Sequence, residues 1–249
     1  MTDACAALVE RGDPDRFAAV MAGPVAARGA LFTLYAFNLE VARAPWVTQE
    51  TMIAEMRLQW WRDVVLEAAP RAHEVAGPLH ALIHQAGLPL DVLDRLIAAR
   101  RWDIYRHGFG PGELAAYLDD TAGGLMWLAA RALGAGPGAE VAVRAYGRAA
   151  GMAAFLRAAA ELEARGRVPL GDAPVTELAR QGLDWLTQAR ALRGTVPAMA
   201  RPALLAGWQT GALLRQVLRD PASVREGRMG VSEFSRRGRL VWQAMTGKW

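Results

Sequence analysis

Apolar residues recur along this chain at the three- to four-residue spacing of amphipathic helices, and glycine and proline interrupt the pattern at intervals. No alternating pattern long enough for a strand occurs, no internal repeat is visible and no linker divides the chain. The sequence therefore predicts a single all-α domain over residues 1–249. Helices are predicted near 14–22, 25–43, 49–68, 78–86, 91–106, 112–133, 139–165, 175–193, 198–219 and 233–246, with 221–232 irregular or short-helical. Pro45 is expected to end the second of them, and Thr48 to cap the third.

The composition agrees with a helical domain that has a large core. Apolar residues make up 53% of the 249 residues, and β-branched residues are sparse. The net charge is +4, and Lys248 is the only lysine, so nearly all the positive charge is arginine. A charge this small allows attraction to anionic lipid or acidic partners, and it does not indicate nucleic-acid binding.

The cysteine content and the absence of targeting patterns indicate the cellular compartment in which the protein is expected. Cys5 is the only cysteine, so no intramolecular disulfide can form and a reducing compartment is expected. The first residues lack the basic start and apolar run of a secretory signal. The longest uncharged apolar run, residues 202–214, has 13 residues and is predicted to be a core helix rather than a membrane span.

Four segments, in order along residues 20–249, resemble motifs of the squalene/phytoene synthase family. They are Arg28 with LYAFN at 34–38, EMRLQWWRD at 55–63, TAGGLM at 121–126, and Leu156-Arg157 with RGRVPL at 165–170. The resemblance implies an isoprenoid-synthase-type helical bundle around a central cavity. It also implies an ancestral activity, the condensation of two prenyl diphosphates through their first carbons.

In the family that this chain resembles, two facing helices each carry an Asp-x-x-x-Asp motif that holds Mg²⁺ for the departing diphosphate. The four matching positions here are Ala42, Trp46, Ala158 and Leu162. Gly151 and Ala154 stand where a glutamine and an asparagine would face the substrate. We therefore expect no catalytic residue, no metal and no cofactor, with Mg²⁺ needed only if the chain is an active transferase.

The segment 57–62 also resembles the branch of this family that includes the mitochondrial assembly factor for respiratory complex I. By this resemblance, the chain is expected to be a non-catalytic binding or assembly factor. Its partner would be a complex I subunit or assembly intermediate, met in the bacterial cytoplasm or at the periphery of the inner membrane. Two alternatives stay open: an active prenyl transferase with atypical metal binding, and a carrier that keeps a prenyl lipid in the inherited cavity.

The candidate residues for the cavity or for ligand binding come from the same motifs. They are Arg28, Tyr35, Asn38, Trp60, Trp61, Gly123, Gly151, Ala154, Arg157 and Arg167. Two of these groups have a structural alternative. The tryptophan pair could serve core packing. The arginines at 157, 165 and 167 could form ion pairs with Glu161 and Glu163 instead of holding a phosphate.

Other acids and histidines are weaker candidates for a relocated metal site. Glu161 and Glu163 are two residues apart on a helix, and Asp119 and Asp120 are adjacent, so the side chains of each pair diverge. His80 and His84 have the spacing of some zinc ligands, but no third ligand with suitable spacing is visible.

The C-terminal segment is a basic amphipathic helix with tryptophans. Its basic and apolar residues are Arg236, Arg237, Arg239, Lys248, Phe234, Leu240, Val241, Trp242, Met245 and Trp249. Such a helix suits a membrane surface, and it equally suits docking on the body of the protein, which is the preferred interpretation.

Overall fold

The computed structural model describes residues 3–48, 50–105, 108–110, 112–171 and 173–249. The predicted all-α class is confirmed, and no strand occurs in those ranges. The α-helices are α1 Asp3–Gly12, α2 Pro14–Ala22, α3 Val25–Arg43, α4 Thr51–Leu66, α5 Ala76–Ala86, α6 Leu90–Ala99, α7 Trp102–Tyr105, α8 Glu113–Leu118, α9 Gly124–Ala132, α10 Glu140–Ala164, α11 Val175–Ala191, α12 Thr210–Arg219, α13 Ala222–Arg225 and α14 Glu233–Thr246. The shorter helical segments are 3₁₀ at Ala44–Trp46, Pro137–Ala139, Arg193–Thr195 and Ala198–Gly207, and π-helical at Asp119–Gly123.

Several helix ends follow directly from local sequence. The Asp13 carboxylate accepts the Arg16 backbone N–H at 2.9 Å and caps α2, which has proline at its first position. Pro45 closes α3 by turning the chain into a 3₁₀ turn. Gly87 ends α5 at φ 57°, in the left-handed region that favours glycine.

Other boundaries differ from the predictions. Helix α1 was not predicted at all. Thr48 does not cap α4: the N-cap position is Glu50, whose backbone N–H donates to the Thr48 hydroxyl at 3.1 Å. The single helix predicted over 198–219 is instead a 3₁₀ stretch followed by α12. Pro202 has no backbone N–H to donate to an α-helical hydrogen bond.

Two predicted helices are interrupted where they approach the centre of the molecule. The helix predicted over 91–106 is two helices, α6 and α7, and Arg106 and His107 lie outside the described residues. The helix predicted over 112–133 changes into the π-helical segment between α8 and α9. Such π-helical turns occur frequently at functional sites.

Helix α10 lies at the centre and packs against α9, α11, α12 and the π-helical segment. Gly147 makes the closest approach, because a Cβ there would lie 2.7 Å from the Ala122 carbonyl oxygen and 2.7 Å from the Gly123 Cα. A Cβ at Gly151 would lie 2.6 Å from the Ala122 Cβ. The small residues of the TAGGLM motif and of α10 therefore let two helical backbones touch beside the central cavity.

Within the described residues, no helix combines the length and apolar character needed to cross a bilayer.

Candidate functional site

A central cavity of about 390 Å³ lies between α3, α10 and the helices that join them. Helix α3 contributes Tyr35, Asn38 and Ala42, and α10 contributes residues on one side between Gly147 and Leu162. The deep part is apolar, with buried Leu118, Leu125 and Met126 in the wall. A volume of this size is in the range of small-molecule sites.

All four positions that match the acidic motifs line this cavity: Ala42, Trp46, Ala158 and Leu162. The fold thus brings the two motif segments together across one space. Of the other predicted residues, those that line the cavity are Tyr35, Asn38, Gly151, Ala154 and Arg157. The described lining does not include Arg28, Trp60, Trp61, Gly123 or Arg167.

The tryptophan pair serves core packing. Trp61 is 4% exposed and meets Phe37 edge-to-face at 5.5 Å between ring centroids. Trp60 packs on Trp61 at 4.9 Å, and Arg71 lies over its ring. Of the two interpretations of Trp60 and Trp61, core packing agrees with the structure, because α4 presents both indoles to the core and not to the cavity.

The remaining three candidates have identifiable positions outside the lining. The Arg28 guanidinium donates to the Met21 carbonyl oxygen at 2.9 Å, near the surface. Gly123 lies at the helix crossing, with Gly147 on the other side. Arg167 is only 6% exposed, and its guanidinium group lies over the ring of Trp46, which is a lining residue.

Trp46 forms the feature that most distinguishes this cavity. The guanidinium carbons of Arg165 and Arg167 lie 5.2 Å and 4.7 Å from its ring centroid. Both distances are within the range of cation–π attraction. An indole with two cations therefore stands where the resemblance places one of four metal-binding carboxylates.

The acids that line the exposed part of the cavity are each paired with arginine. Asp13 accepts from Arg16 at 2.7 Å, Asp15 accepts from Arg157 at 3.0 Å, and Glu161 accepts from Arg165 at 2.5 Å. Arg236 of α14 adds a second contact to Asp15, at 3.5 Å. The ion-pair alternative for Arg157 is thus right in kind, but its partner is Asp15 of α2 and not the predicted glutamates.

A buried polar network in the cavity wall was missed by the sequence analysis. The Arg100 guanidinium donates to the Tyr117 hydroxyl at 2.9 Å and to the Asn38 side-chain oxygen at 3.3 Å, and it lies 3.7 Å from the Asp103 carboxylate. Burial raises the pKa of Asp103, while the charges of Arg100 and Arg167 oppose that shift. Burial also raises the pKa of Tyr117.

The residues present do not fit a magnesium cluster. The matched positions offer no oxygen ligand, and the wall acids already have guanidinium partners. The other acids also diverge, since Asp119 contacts Arg144 and Asp120 contacts Arg95. Within the part of the chain that the structure describes, no group of three His, Cys, Asp or Glu side chains could hold a metal ion.

Two kinds of side chain therefore make up the described lining of the cavity. Apolar side chains form its interior, and guanidinium groups compensated by carboxylates form its exposed rim.

Comparison with known proteins agrees with this geometry. A model of the squalene/phytoene synthase family matches residues 9–183. The chain belongs to the squalene/phytoene synthase family, as the four motifs indicated.

Curated relatives are more specific. The chain is 32% identical over 163 residues to the NADH dehydrogenase (ubiquinone) complex I, assembly factor 6 homolog of Drosophila melanogaster, a match covering 61% of this chain and 49% of that protein. It is 27% identical over 169 residues to the complex I assembly factor 6 of Bos taurus, covering 66% and 51%. The chain thus spans about half the length of the curated relatives it matches.

Solved structures share the fold over nearly the whole chain. A dehydrosqualene synthase superimposes with a TM-score of 0.84 at 15% identity, covering 99% of this chain and 95% of that one. The squalene synthase HpnC of Alicyclobacillus acidocaldarius superimposes with a TM-score of 0.75 at 18% identity, covering 92% and 95%. These identities establish a common architecture and nothing about activity.

Proposed function

We propose that this protein is a non-catalytic member of its family that binds a partner during the assembly of respiratory complex I. The observation that best supports this proposal is the position of Trp46, which lines the cavity while the guanidinium groups of Arg165 and Arg167 lie over its ring. The metal and diphosphate of a synthase would need oxygen ligands at this position, and here the indole of Trp46 lines the cavity with Arg165 and Arg167 against its ring.

The named relatives support the assembly part of the proposal. Proteins of Drosophila melanogaster and Bos taurus that match this chain are described as complex I assembly factors. By this relationship the partner is a protein, a subunit or an assembly intermediate of complex I. We place the encounter in the bacterial cytoplasm or on the surface of the inner membrane.

A second candidate, an apolar lipid carrier, is favoured by the cavity itself. Its apolar interior and a volume of about 390 Å³ suit part of a prenyl chain, and the rim arginines suit a polar end. The two functions are compatible, since a bound lipid could be what the assembly step delivers or senses.

Gene deletion tests the assembly function. Membranes of the deletion strain are expected to lose most complex I activity, and a plasmid copy of the wild-type gene should restore it. Normal complex I activity and normal subunit assembly in the deletion strain would refute the function.

Complementation of the deletion strain with a variant whose central cavity is filled by a large side chain distinguishes the carrier function from protein binding alone. Ala154→Trp places an indole in the cavity, and Ala116→Trp on the exposed surface of α8 is the matched control. If a lipid matters, only Ala154→Trp fails to complement, and mass spectrometry finds a prenyl lipid in extracts of the purified wild-type protein. Full complementation by both variants, with no extractable lipid, would reject the carrier.

The enzymatic alternative is tested directly. Purified protein is incubated with farnesyl or geranylgeranyl diphosphate and Mg²⁺, with an active synthase as the positive control. We expect no condensed C30 or C40 product, and formation of one would overturn the non-catalytic proposal.

A further inference from the structure

A second cavity, of about 280 Å³, lies between α11, α12 and α14. Its apolar part consists largely of aromatic side chains, among them Tyr146, Trp208 and Trp249. Its polar part is made of cations: Arg190, Arg193, Arg215, Arg239 and Lys248. A neighbouring groove shares Arg215 and Arg239 and adds Arg219. No Asp or Glu side chain is present in the described lining of either space.

These cations differ from the arginines of the central cavity, which have carboxylate partners. Among the described residues, no Asp or Glu side chain forms a salt bridge with Arg193, Arg215 or Arg239. Arg190 donates to the main-chain oxygen of Trp249 at 2.9 Å, and Arg239 donates to the Ser235 hydroxyl at 3.2 Å. Burial lowers the pKa of Arg190, Tyr146 opposes that shift, and the charge of Arg215 acts in the same direction as burial. The guanidinium groups of Arg193, Arg215 and Arg239 therefore line this space with no Asp or Glu side chain paired to them among the described residues, an arrangement that suits an anion.

The sequence concentrates positive charge in the same part of the molecule. Residues 173–249 contain twelve Arg and Lys residues against five Asp and Glu residues, whereas residues 1–172 contain seventeen against twenty. The mild overall charge of +4 thus combines an acidic body with a strongly basic C-terminal third.

The helix that borders the second cavity also exposes an apolar stripe. The side chains of Phe234, Val241, Trp242 and Met245 are 91%, 55%, 54% and 82% exposed. Their spacing of three, four and seven residues places them on one side of α14. Trp242 belongs to both features, since it also lines the second cavity.

The opposite side of α14 holds the helix on the body of the protein. Leu240 is buried, the Gln243 side chain donates to the Leu204 carbonyl oxygen at 3.1 Å, and Arg236 contacts Asp15 and lies over the Trp208 ring. The predicted docking of the C-terminal helix on the body of the protein therefore accounts for only one face of α14. The other face combines solvent-exposed apolar side chains with flanking Arg237 and Arg239, as interfacial helices do.

We propose that this face binds the surface of an anionic phospholipid bilayer. The second cavity receives a headgroup phosphate through Arg193, Arg215 and Arg239, and the apolar stripe of α14 enters the boundary between headgroups and acyl chains. A bilayer is the occupant that meets both features at once, because it offers clustered anions beside an apolar layer. The proposal goes beyond the assembly function and does not depend on it.

Vesicle co-sedimentation of the whole protein tests this binding. The wild type is expected to sediment with phosphatidylcholine vesicles that contain phosphatidylglycerol, to bind pure phosphatidylcholine weakly, and to lose affinity as salt rises. The triple variant Arg193→Gln, Arg215→Gln and Arg239→Gln should bind on the order of 100-fold more weakly, given the contribution of each cation near an anionic surface. Phe234→Ser with Met245→Ser should weaken binding at least about tenfold through lost insertion.

A control variant removes two exposed apolar side chains and one cation from another surface. Met52 and Met56 are 74% and 65% exposed on α4, next to exposed Arg57. Met52→Ser, Met56→Ser and Arg57→Gln together should leave vesicle binding within twofold of wild type. Circular dichroism and thermal melting check that every variant is folded.

Three outcomes would overturn the proposal. The first is equal binding of the wild type to vesicles with and without phosphatidylglycerol. The second is equal loss of binding in the α4 variant and in the triple arginine variant. The third is saturable binding of inorganic phosphate with no binding to either vesicle, which would make the cavity a site for a soluble anion. Failure of any complex I assay would leave these results unaffected.

Discussion

The crossing of α10 with the π-helical segment predicts the effect of adding a single methyl group. In Gly147→Ala, the new Cβ would stand 2.7 Å from both the Ala122 carbonyl oxygen and the Gly123 Cα, where ordinary contacts are 3.4–4 Å. Both obstacles are main-chain atoms, so no side-chain rotation relieves the overlap and the two helices must separate.

The magnitude follows from two opposing contributions. Overpacking in a core costs roughly 1–3 kcal/mol, and a rigid backbone obstacle places this site near the upper end. The gain in helix propensity from glycine to alanine returns about 1 kcal/mol. We expect Gly147→Ala to lower the free energy of unfolding by about 2 kcal/mol, which lowers Tm by roughly 4–8 °C for a chain of this length.

Gly238→Ala is the matched control, because it makes the same substitution in the interior of α14, where nothing lies within 4 Å of the new Cβ. This variant should gain about 0.5–1 kcal/mol from propensity alone. Thermal unfolding followed by circular dichroism compares the two variants. A Gly147→Ala protein as stable as wild type, or stabilised like Gly238→Ala, would contradict the close crossing.

Three further predictions concern buried polar groups. Arg100→Met should destabilise the fold by about 3 kcal/mol in urea unfolding, because the buried Asp103 carboxylate loses its ion-pair partner Arg100 and keeps only the charge of Arg167, and adding Asp103→Leu should recover most of the loss. Burial raises the pKa of Tyr35 to about 12. The buried neutral phenol therefore contributes its full stability below about pH 10, and this contribution is lost as the pH rises towards 12, because the unfolded chain loses the proton more easily. The stability of Tyr35→Phe relative to wild type should therefore increase by about 2 kcal/mol between pH 9 and pH 12, and parallel pH profiles of the two proteins would contradict this. Cys5 is fully buried and burial raises the pKa of its thiol, so a thiol reagent should label it only after denaturation.

Much of the helical framework could be predicted because its signals are local. The ends of α2, α3 and α5 are marked by glycine or proline, and α10 is marked by a long uninterrupted pattern. The missed elements depend on tertiary context. The interruption between α6 and α7, for example, follows a strongly periodic apolar stretch that gives no warning of a break.

The site was predictable only as far as the motif positions. Ala42, Trp46, Ala158 and Leu162 share one cavity because α3 and α10 face each other, as the family resemblance implied. The network around Arg100 was not predictable, because Asn38 and Tyr117 are distant in sequence and only the Arg100–Asp103 spacing hinted at a pair. For the tryptophan pair, sequence could not decide between core and cavity, since an indole suits both.

The position of Lys248 in the second cavity has a practical consequence. Amine-directed chemistry finds one lysine side chain in this sequence, and the fold sets it beside the guanidinium groups of Arg193, Arg215 and Arg239. A fluorophore attached to the Lys248 side chain would lie at the second cavity. Binding of an anionic ligand there could then be followed by a change in its emission, without introducing any new residue.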